Sequence, residues 1–442
     1  MNKEMLSQYK AVEKRLKESL SQRRYVAVVK APPGSGKTHL LVGLVIHAMD
    51  KGMRVAVATQ TNSQADEICR RLNLLKKKHY RLLSSQQNFG NEDTSLNTMV
   101  VQKVDQVLDR KCIVVSTASK WAWSGTGAGA EFSILFIEEA WQLKYYNFMT
   151  LGHVAPRFVF IGDPGQIPPT VTIDTSPWDT APTPPHRAAP EIVLRNLNIQ
   201  PEELPATWRL PADSAGLVRT FYDFDFGAIA KPGERKIAIN PGKNRLLRKL
   251  ARAFEGKTYC CLTIDDGREA PATSDYDEGV AKAIVQTIDT LLKCGARYNA
   301  GEGLKKLRVS DIGISATHRK MVNLLSSSLP NAYRDEIRVD TPERWQGLET
   351  KLFFAVHPLS GLSEPSGFDL DTGRLCVMAS RHQAGLVIVS REGIQQTLEE
   401  YYPVSEQAPG LPDDVGRGRA MHWEFWKRLT AEPESNIGLK GH

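Results

Sequence analysis

The chain has 442 residues, a formal charge of +7 and an ordinary apolar fraction of 41%, enough for two or three domains. No apolar run is long enough to cross a bilayer, the first residues lack a signal-peptide apolar stretch, and six scattered cysteines without a CxxC pair support neither a zinc site nor a disulfide framework. A reducing, cytoplasmic setting is expected, and the mild positive charge permits a nucleic-acid partner without requiring one.

In chain order, residues 3–22 read as a charged helix. It carries Gln8, whose paired donor and acceptor could read an adenine edge or simply face solvent. The apolar run 25–29 predicts a buried parallel strand. It leads into Ala31-Pro32-Pro33-Gly34-Ser35-Gly36-Lys37-Thr38 and an apolar helix over about 39–48. Strand, glycine turn, Gly-Lys-Thr and helix together are the context of a phosphate-binding loop. The Gly34-Ser35-Gly36 backbone would approach phosphate oxygens at a helix N-terminus, Lys37 would reach the β- and γ-phosphates, and the Thr38 hydroxyl would coordinate Mg²⁺.

A second strand at 55–58 ends near the polar Thr61 and Asn62, and a helix runs on to about residue 75. Those two residues could bond a sugar-phosphate backbone or cap the helix. The run Lys76-Lys77-Lys78-His79 reads as a solvated loop, and residues 84–98 as a polar, flexible one. A third strand, 112–117, ends in the hydroxyls of Ser116 and Thr117. The next, 132–137, ends in Glu138-Glu139. An apolar strand tipped with two carboxylates, downstream of a phosphate loop, reads as a metal and water site. Glu138 would hold the Mg²⁺ shell where aspartate is usual, and Glu139 would polarise the attacking water. The bland alternative is a carboxylate pair opening a helix. The strand 158–161 runs into Gly162-Asp163-Pro164-Gly165-Gln166, where Gln166 could sense the γ-phosphate or sit in an ordinary turn. Residues 168–191, rich in Pro, Thr and Ala, read as an extended connection before a domain boundary near 200–206.

With these residues in place, the first half resembles a superfamily 1 helicase motor. It is nearest the 5′→3′ subgroup that includes the nonsense-mediated-decay RNA helicase and the Okazaki-flap helicase-nuclease. The phosphate loop is similar to motif I of that subgroup, 137–140 to motif II, 162–166 to motif III, and Ser7-Gln8 to its adenine-reading glutamine motif. In the second half, 204–211 resembles the motif in which Trp208 would stack on adenine and Arg209 would reach the γ-phosphate. The segment 311–318 resembles a strand ending in a nucleic-acid-facing motif. Residues 341–349 match motif V in spacing, with Glu349 on the ribose. Residues 375–382 resemble motif VI, with Arg381 as the finger arginine.

The resemblance implies an α/β fold of two tandem RecA-like domains with mostly parallel sheets and ATP in the cleft. Their expected extents are 1–203 and 204–400, followed by a tail, 401–442, whose amphipathic helix around 421–426 is expected to pack on the motor. It further implies ATP and Mg²⁺ as cofactors and single-stranded DNA or RNA as the track. Thr61, Asn62, Thr117, Thr317, His318 and Thr341 would be the strand contacts. Short gaps between motifs point to a nearly bare motor. Two other readings stay open: a nucleic-acid-stimulated ATPase switch or clamp that does not unwind, and, because of Glu138, a degenerate nucleotide-binding scaffold.

Overall fold

Short runs of Val, Ile, Phe and Ala bounded by Gly, Pro and Asp become strands, and the amphipathic segments between them become the covering helices. A computed structural model describes residues 3–22, 25–84, 97–107, 109, 111–124, 132–178, 180–265, 275–402 and 413–440. These fall into two units. The amino-terminal unit comprises Glu4–Pro164 and Pro168–Ala206, and the carboxy-terminal unit comprises Thr207–His442 together with Gly165–Ile167.

The amino-terminal unit is built on β1 (Val26–Lys30), β2 (Val55–Thr59), β3 (His79–Leu82), β4 (Thr98–Val101), β5 (Ile113–Thr117), β6 (Ile134–Glu138), β7 (Phe158–Gly162) and β8 (Glu202–Glu203). They form an eight-stranded sheet in the order β4-β3-β5-β2-β6-β7-β1-β8, with every pairing parallel. Alternate residues feed opposite cores, as the two-residue period requires. Val29, Val55, Val57, Phe136 and Val159 pack in one, while Val28, Ala56, Ala58, Leu135 and Phe160 pack in the other.

The run 76–79, expected as a solvated loop, stays outside helix and strand up to Lys78, but His79 opens β3, which pairs with β4. His79 and Arg81 are fully buried, which is tolerable because both are bonded. The two His79 ring nitrogens meet Lys77 O at 2.9 Å and Thr98 Oγ1 at 3.0 Å. Arg81 donates to Asp66 at 2.8 Å and to Asn62 at 2.9 Å. Polar side chains disguised a strand that buries them with partners. Of the expected flexible stretch 84–98, residues 85–96 lie outside the described residues.

The chain passes into the carboxy-terminal unit at β9 (Ala206–Thr207), followed by β10 (Gly227–Ala228). Strands β11 (Lys236–Ala238), β13 (Arg297–Asn299) and β14 (Leu304–Lys306) make a small antiparallel sheet. The main sheet combines β12 (Tyr259–Asp265), β15 (Ile312–Ser315), β16 (Arg338–Asp340), β17 (Thr350–Val356), β18 (His382–Arg391) and β19 (Asn436–Lys440) in the parallel order β16-β15-β17-β18-β12-β19. A buried pair, Arg391 to Asp277 at 2.8 Å, ties the end of β18 to the start of the helix Glu278–Lys293.

The tail packs on this unit, as expected of its amphipathic helix, and adds a strand to the sheet. Strand β19 pairs with β12, from Cys261 opposite Asn436 to Asp265 opposite Lys440. The helix Asp414–Leu429 buries Phe425, Trp426 and Leu429 among Phe353, Leu386 and Ile388. Pairing β12 on that side satisfies a row of backbone groups that an edge would leave open. Among the described residues no helix is long and apolar enough to cross a membrane.

Candidate functional site

The strand β1 ends at Lys30 and the loop turns through Gly34 and Gly36, at φ 67° and 82°. Those left-handed conformations suit glycine and let the backbone fold tightly before the helix Lys37–Asp50. Gly36 caps that helix without a side-chain bond, so its first-turn N–H groups face outward uncapped by a side chain. The Ser35 hydroxyl is buried and has no hydrogen-bond partner among the described residues. A buried donor in that state within a glycine cradle fits a loop shaped for a phosphate.

Neighbouring strands bring the acidic groups to the same edge. In the sheet order β6-β7-β1, Val28 lies opposite Phe160, and Ile161 opposite Glu138. The carboxyl ends of the three strands therefore sit one strand spacing apart, about 5 Å each. The Thr38 hydroxyl donates to Glu138 Oε1 at 2.6 Å. Lys37 Nζ lies 3.3 Å from Glu139 Oε1 and 3.9 Å from Asp163 Oδ2. Burial pushes the Glu138 carboxyl up to about 7; the Thr38 bond opposes this and the Glu139 charge adds to it. A buried carboxylate beside a second one, with a threonine hydroxyl already on it, is a site that a divalent cation would neutralise. Glu139 takes the left-handed conformation at φ 48°, an uncommon state for a non-glycine residue. Gly162 is needed here, because a Cβ would stand 2.8 Å from Ala140 N and 2.9 Å from the Trp141 ring. The structure thus gathers Lys37, Thr38, Glu138 and Glu139. It adds Asp163, whose place just beyond an apolar strand was the available signal.

The other expected residues are less uniformly placed. Gln8 is exposed on the helix Lys3–Ser19, which turns Tyr9, Val12 and Leu16 inward. Gln166 is buried and belongs with the carboxy-terminal unit, where Gly165 abuts Tyr222 and Ile167 abuts Gly373. Trp208 is 40% exposed. Arg209 donates to Glu349 Oε2 at 2.6 Å and to Ser380 O at 3.2 Å, and Gln383 donates to the other Glu349 oxygen. Burial pushes the Glu349 carboxyl up, but the Arg209 charge and bond outweigh it and leave it below its ordinary value.

Two of the expected residues have protein partners in this geometry. Glu349, expected at a ribose, is engaged by Arg209 and Gln383. Arg381, expected as the finger arginine, is fully buried. It donates to Val377 O at 2.9 Å, Trp345 O at 3.3 Å and Ser380 Oγ at 2.8 Å. An arginine beside a helix end can satisfy carbonyls there.

The candidate strand contacts do line the carboxyl edges of both sheets. Thr59 pairs with Thr117, placing Thr61, Asn62 and Thr117 together, and Ser315 pairs with Asp340, placing Thr317 and Thr341 together. Several already have local work. Thr61 forms a capping box with Gln64, Asn62 accepts from Arg81, and Thr117 caps the helix Ala118–Ala122. Thr317 is buried, His318 Nε2 lies 3.6 Å from Asp369 Oδ1, and Thr341 opens the helix Pro342–Trp345.

Two parallel sheets, the first with a glycine loop, a lysine and a carboxylate set at its carboxyl edge, define a P-loop NTPase of tandem RecA-like build. Two family models, each described as an AAA domain, match residues 7–172 and 234–393. Over 96% of its length the chain is similar to "DNA-binding protein SMUBP-2" of Mesocricetus auratus, at 32% identity over 512 residues. The same protein of Mus musculus is 20% identical over 501 residues. The chain spans 46% of each, about half the length of these curated relatives. A solved Arterivirus nonstructural protein 10 (helicase) is 14% identical with a TM-score of 0.44, covering 88% of this chain and 63% of that one. The two AAA-domain matches cover the glycine loop with its carboxylates in the first unit and strands β11 to β18 of the second.

Proposed function

We propose that the chain is an ATP-driven helicase or translocase on single-stranded nucleic acid, moving 5′→3′. The observation that carries this is the cluster of Lys37, Thr38, Glu138, Glu139 and Asp163 at the end of β1, β6 and β7. Lys37, now held between two carboxylates, would turn to the β- and γ-phosphates as they enter the loop. The Ser35 hydroxyl and the uncapped N–H groups would take phosphate oxygens. Thr38 and Glu138 are the groups that would hold Mg²⁺, which supplies charge neutralisation for the transferred phosphoryl group. Glu139 would orient the attacking water and accept its proton. Trp208 would stack on the base, and Arg209, released from Glu349, would meet the developing negative charge.

The similarity to DNA-binding protein SMUBP-2 supports a nucleic-acid track. Hydroxyl and amide groups such as Thr61, Asn62, Thr117, Thr317 and Thr341 suit phosphate and sugar rather than base edges, so binding is expected to be largely independent of sequence and to weaken with salt. The test is phosphate release with single-stranded DNA, single-stranded RNA or duplex added, followed by unwinding of duplexes tailed at either end. Stimulation without unwinding would make the protein a clamp or switch. If no strand raises the native rate and none binds at low salt, the reading fails.

A further inference from the structure

The carboxyl edge of the second sheet carries an aromatic group that the nucleotide machinery does not use. Phe368 lies between β17 and the helix Thr372–Ala379 and is 42% exposed. A phenylalanine left open at the ligand-bearing edge of a parallel sheet is a substantial apolar exposure. Its position is fixed from several sides. The Arg374 guanidinium sits 4.0 Å from the ring centroid. Arg374 is itself held by Glu343 at 2.9 Å and by Asp371. The loop is pinned by Ser366, whose N–H and hydroxyl donate to Asp369 Oδ2 at 2.9 and 2.6 Å. Asp369 in turn faces His318 Nε2 at 3.6 Å, and the His318 ring lies 5.2 Å from that of Phe368.

We propose that Phe368, seated on Arg374 beside the His318 ring, is a base-stacking residue for single-stranded nucleic acid. The inference rests on the proposed function and names a contact within it. Three observations favour a base as the occupant. First, the exposed ring shares its edge with Thr317, His318 and Thr341, the hydroxyl and imidazole groups suited to a sugar-phosphate backbone. Second, Arg374 binds both Glu343 and Asp371 and His318 faces Asp369, so these carboxylates are turned toward protein partners beside the ring. Third, the ring is already packed against Arg374 and His318, so stacking costs little additional freedom. Every base offers a π-face, so the contact would be indifferent to sequence.

The test uses the full chain with Phe368→Ala, Phe368→Leu and Phe368→Tyr. Affinity and 2-aminopurine fluorescence are read on an oligonucleotide carrying that base analogue. Basal ATPase without nucleic acid serves as the control for fold. The expected result is about tenfold weaker binding and loss of stacking quench for the alanine and leucine variants. Tyrosine should bind and quench as the native ring does, and basal ATPase should be unchanged in all three. Leucine keeps the apolar volume, so native-like binding by Phe368→Leu would show that the ring only covers apolar surface and would overturn the inference. Native-like binding and quench by Phe368→Ala overturns it too. In both cases the helicase reading survives. If the native protein binds neither single-stranded DNA nor RNA, the inference and that reading fall together. Should the alanine variant fail to fold, the leucine and tyrosine pair decides.

Discussion

Glu138→Gln separates the cost of the carboxylate from its use. In the metal-free protein burial lifts this carboxyl from 4.5 to about 7. At about 1.4 kcal/mol per pH unit, that difference amounts to roughly 3 kcal/mol. The sign follows from proton linkage. The folded state holds the Glu138 proton more tightly than the unfolded chain, so its contribution is fully present below pH 4.5 and is lost by about pH 7. Glutamine keeps an oxygen for the Thr38 hydroxyl and cannot ionise. Its fixed packing and hydrogen-bond costs do not depend on pH and cancel when the two proteins are compared across pH. Measured in EDTA without nucleotide, the unfolding midpoint of the glutamine variant should gain on the native protein between pH 4.5 and 8. For a unit of this size, ~3 kcal/mol corresponds to about 6–12 °C. Mg²⁺ added at pH 8 should recover stability in the native protein and not in the variant, and the variant should not turn over ATP. A gap that stays constant from pH 5 to 8.5 would refute the burial argument.

Lys37→Ala should abolish phosphate release and lower the unfolding midpoint, because it removes the cation held between the Glu139 and Asp163 carboxylates, while Glu139→Gln should bind ATP in a filtration or fluorescence assay and fail to hydrolyse it. Gly162→Ala forces a Cβ to 2.8 Å from Ala140 N; a cost of about 1–3 kcal/mol is expected from such overpacking, with reduced ATPase because Glu138 and Glu139 directly precede the displaced turn. Arg391→Ala strands the buried Asp277, which also caps the helix Glu278–Lys293. It should destabilise the carboxy-terminal unit by about 3–5 kcal/mol in a denaturant titration.

The phosphate loop was legible from the chain alone because its chemistry is local. A buried strand, two glycines that need positive φ, and Lys37-Thr38 at a helix start all fall within a dozen residues. Glu138 and Glu139 were legible because an apolar strand that ends in charge leaves few other uses for it. What the sequence could not reveal was every relation made across strands. Nothing local says that β7 inserts between β1 and β6, which alone brings Asp163 to Lys37, or that the His79 and Arg81 strand hides its polarity behind Asp66, Asn62 and Thr98. The same holds for β19, whose Asn, Gly and Lys do not announce a strand until β12 offers it an open edge, and for Phe368, unremarked in a loop until Arg374 and His318 close around it. Backbone conformation and helix starts are decided by neighbours along the chain, whereas strand order, ion pairing and exposure are decided by which distant segments share a core, and only folding brings those together.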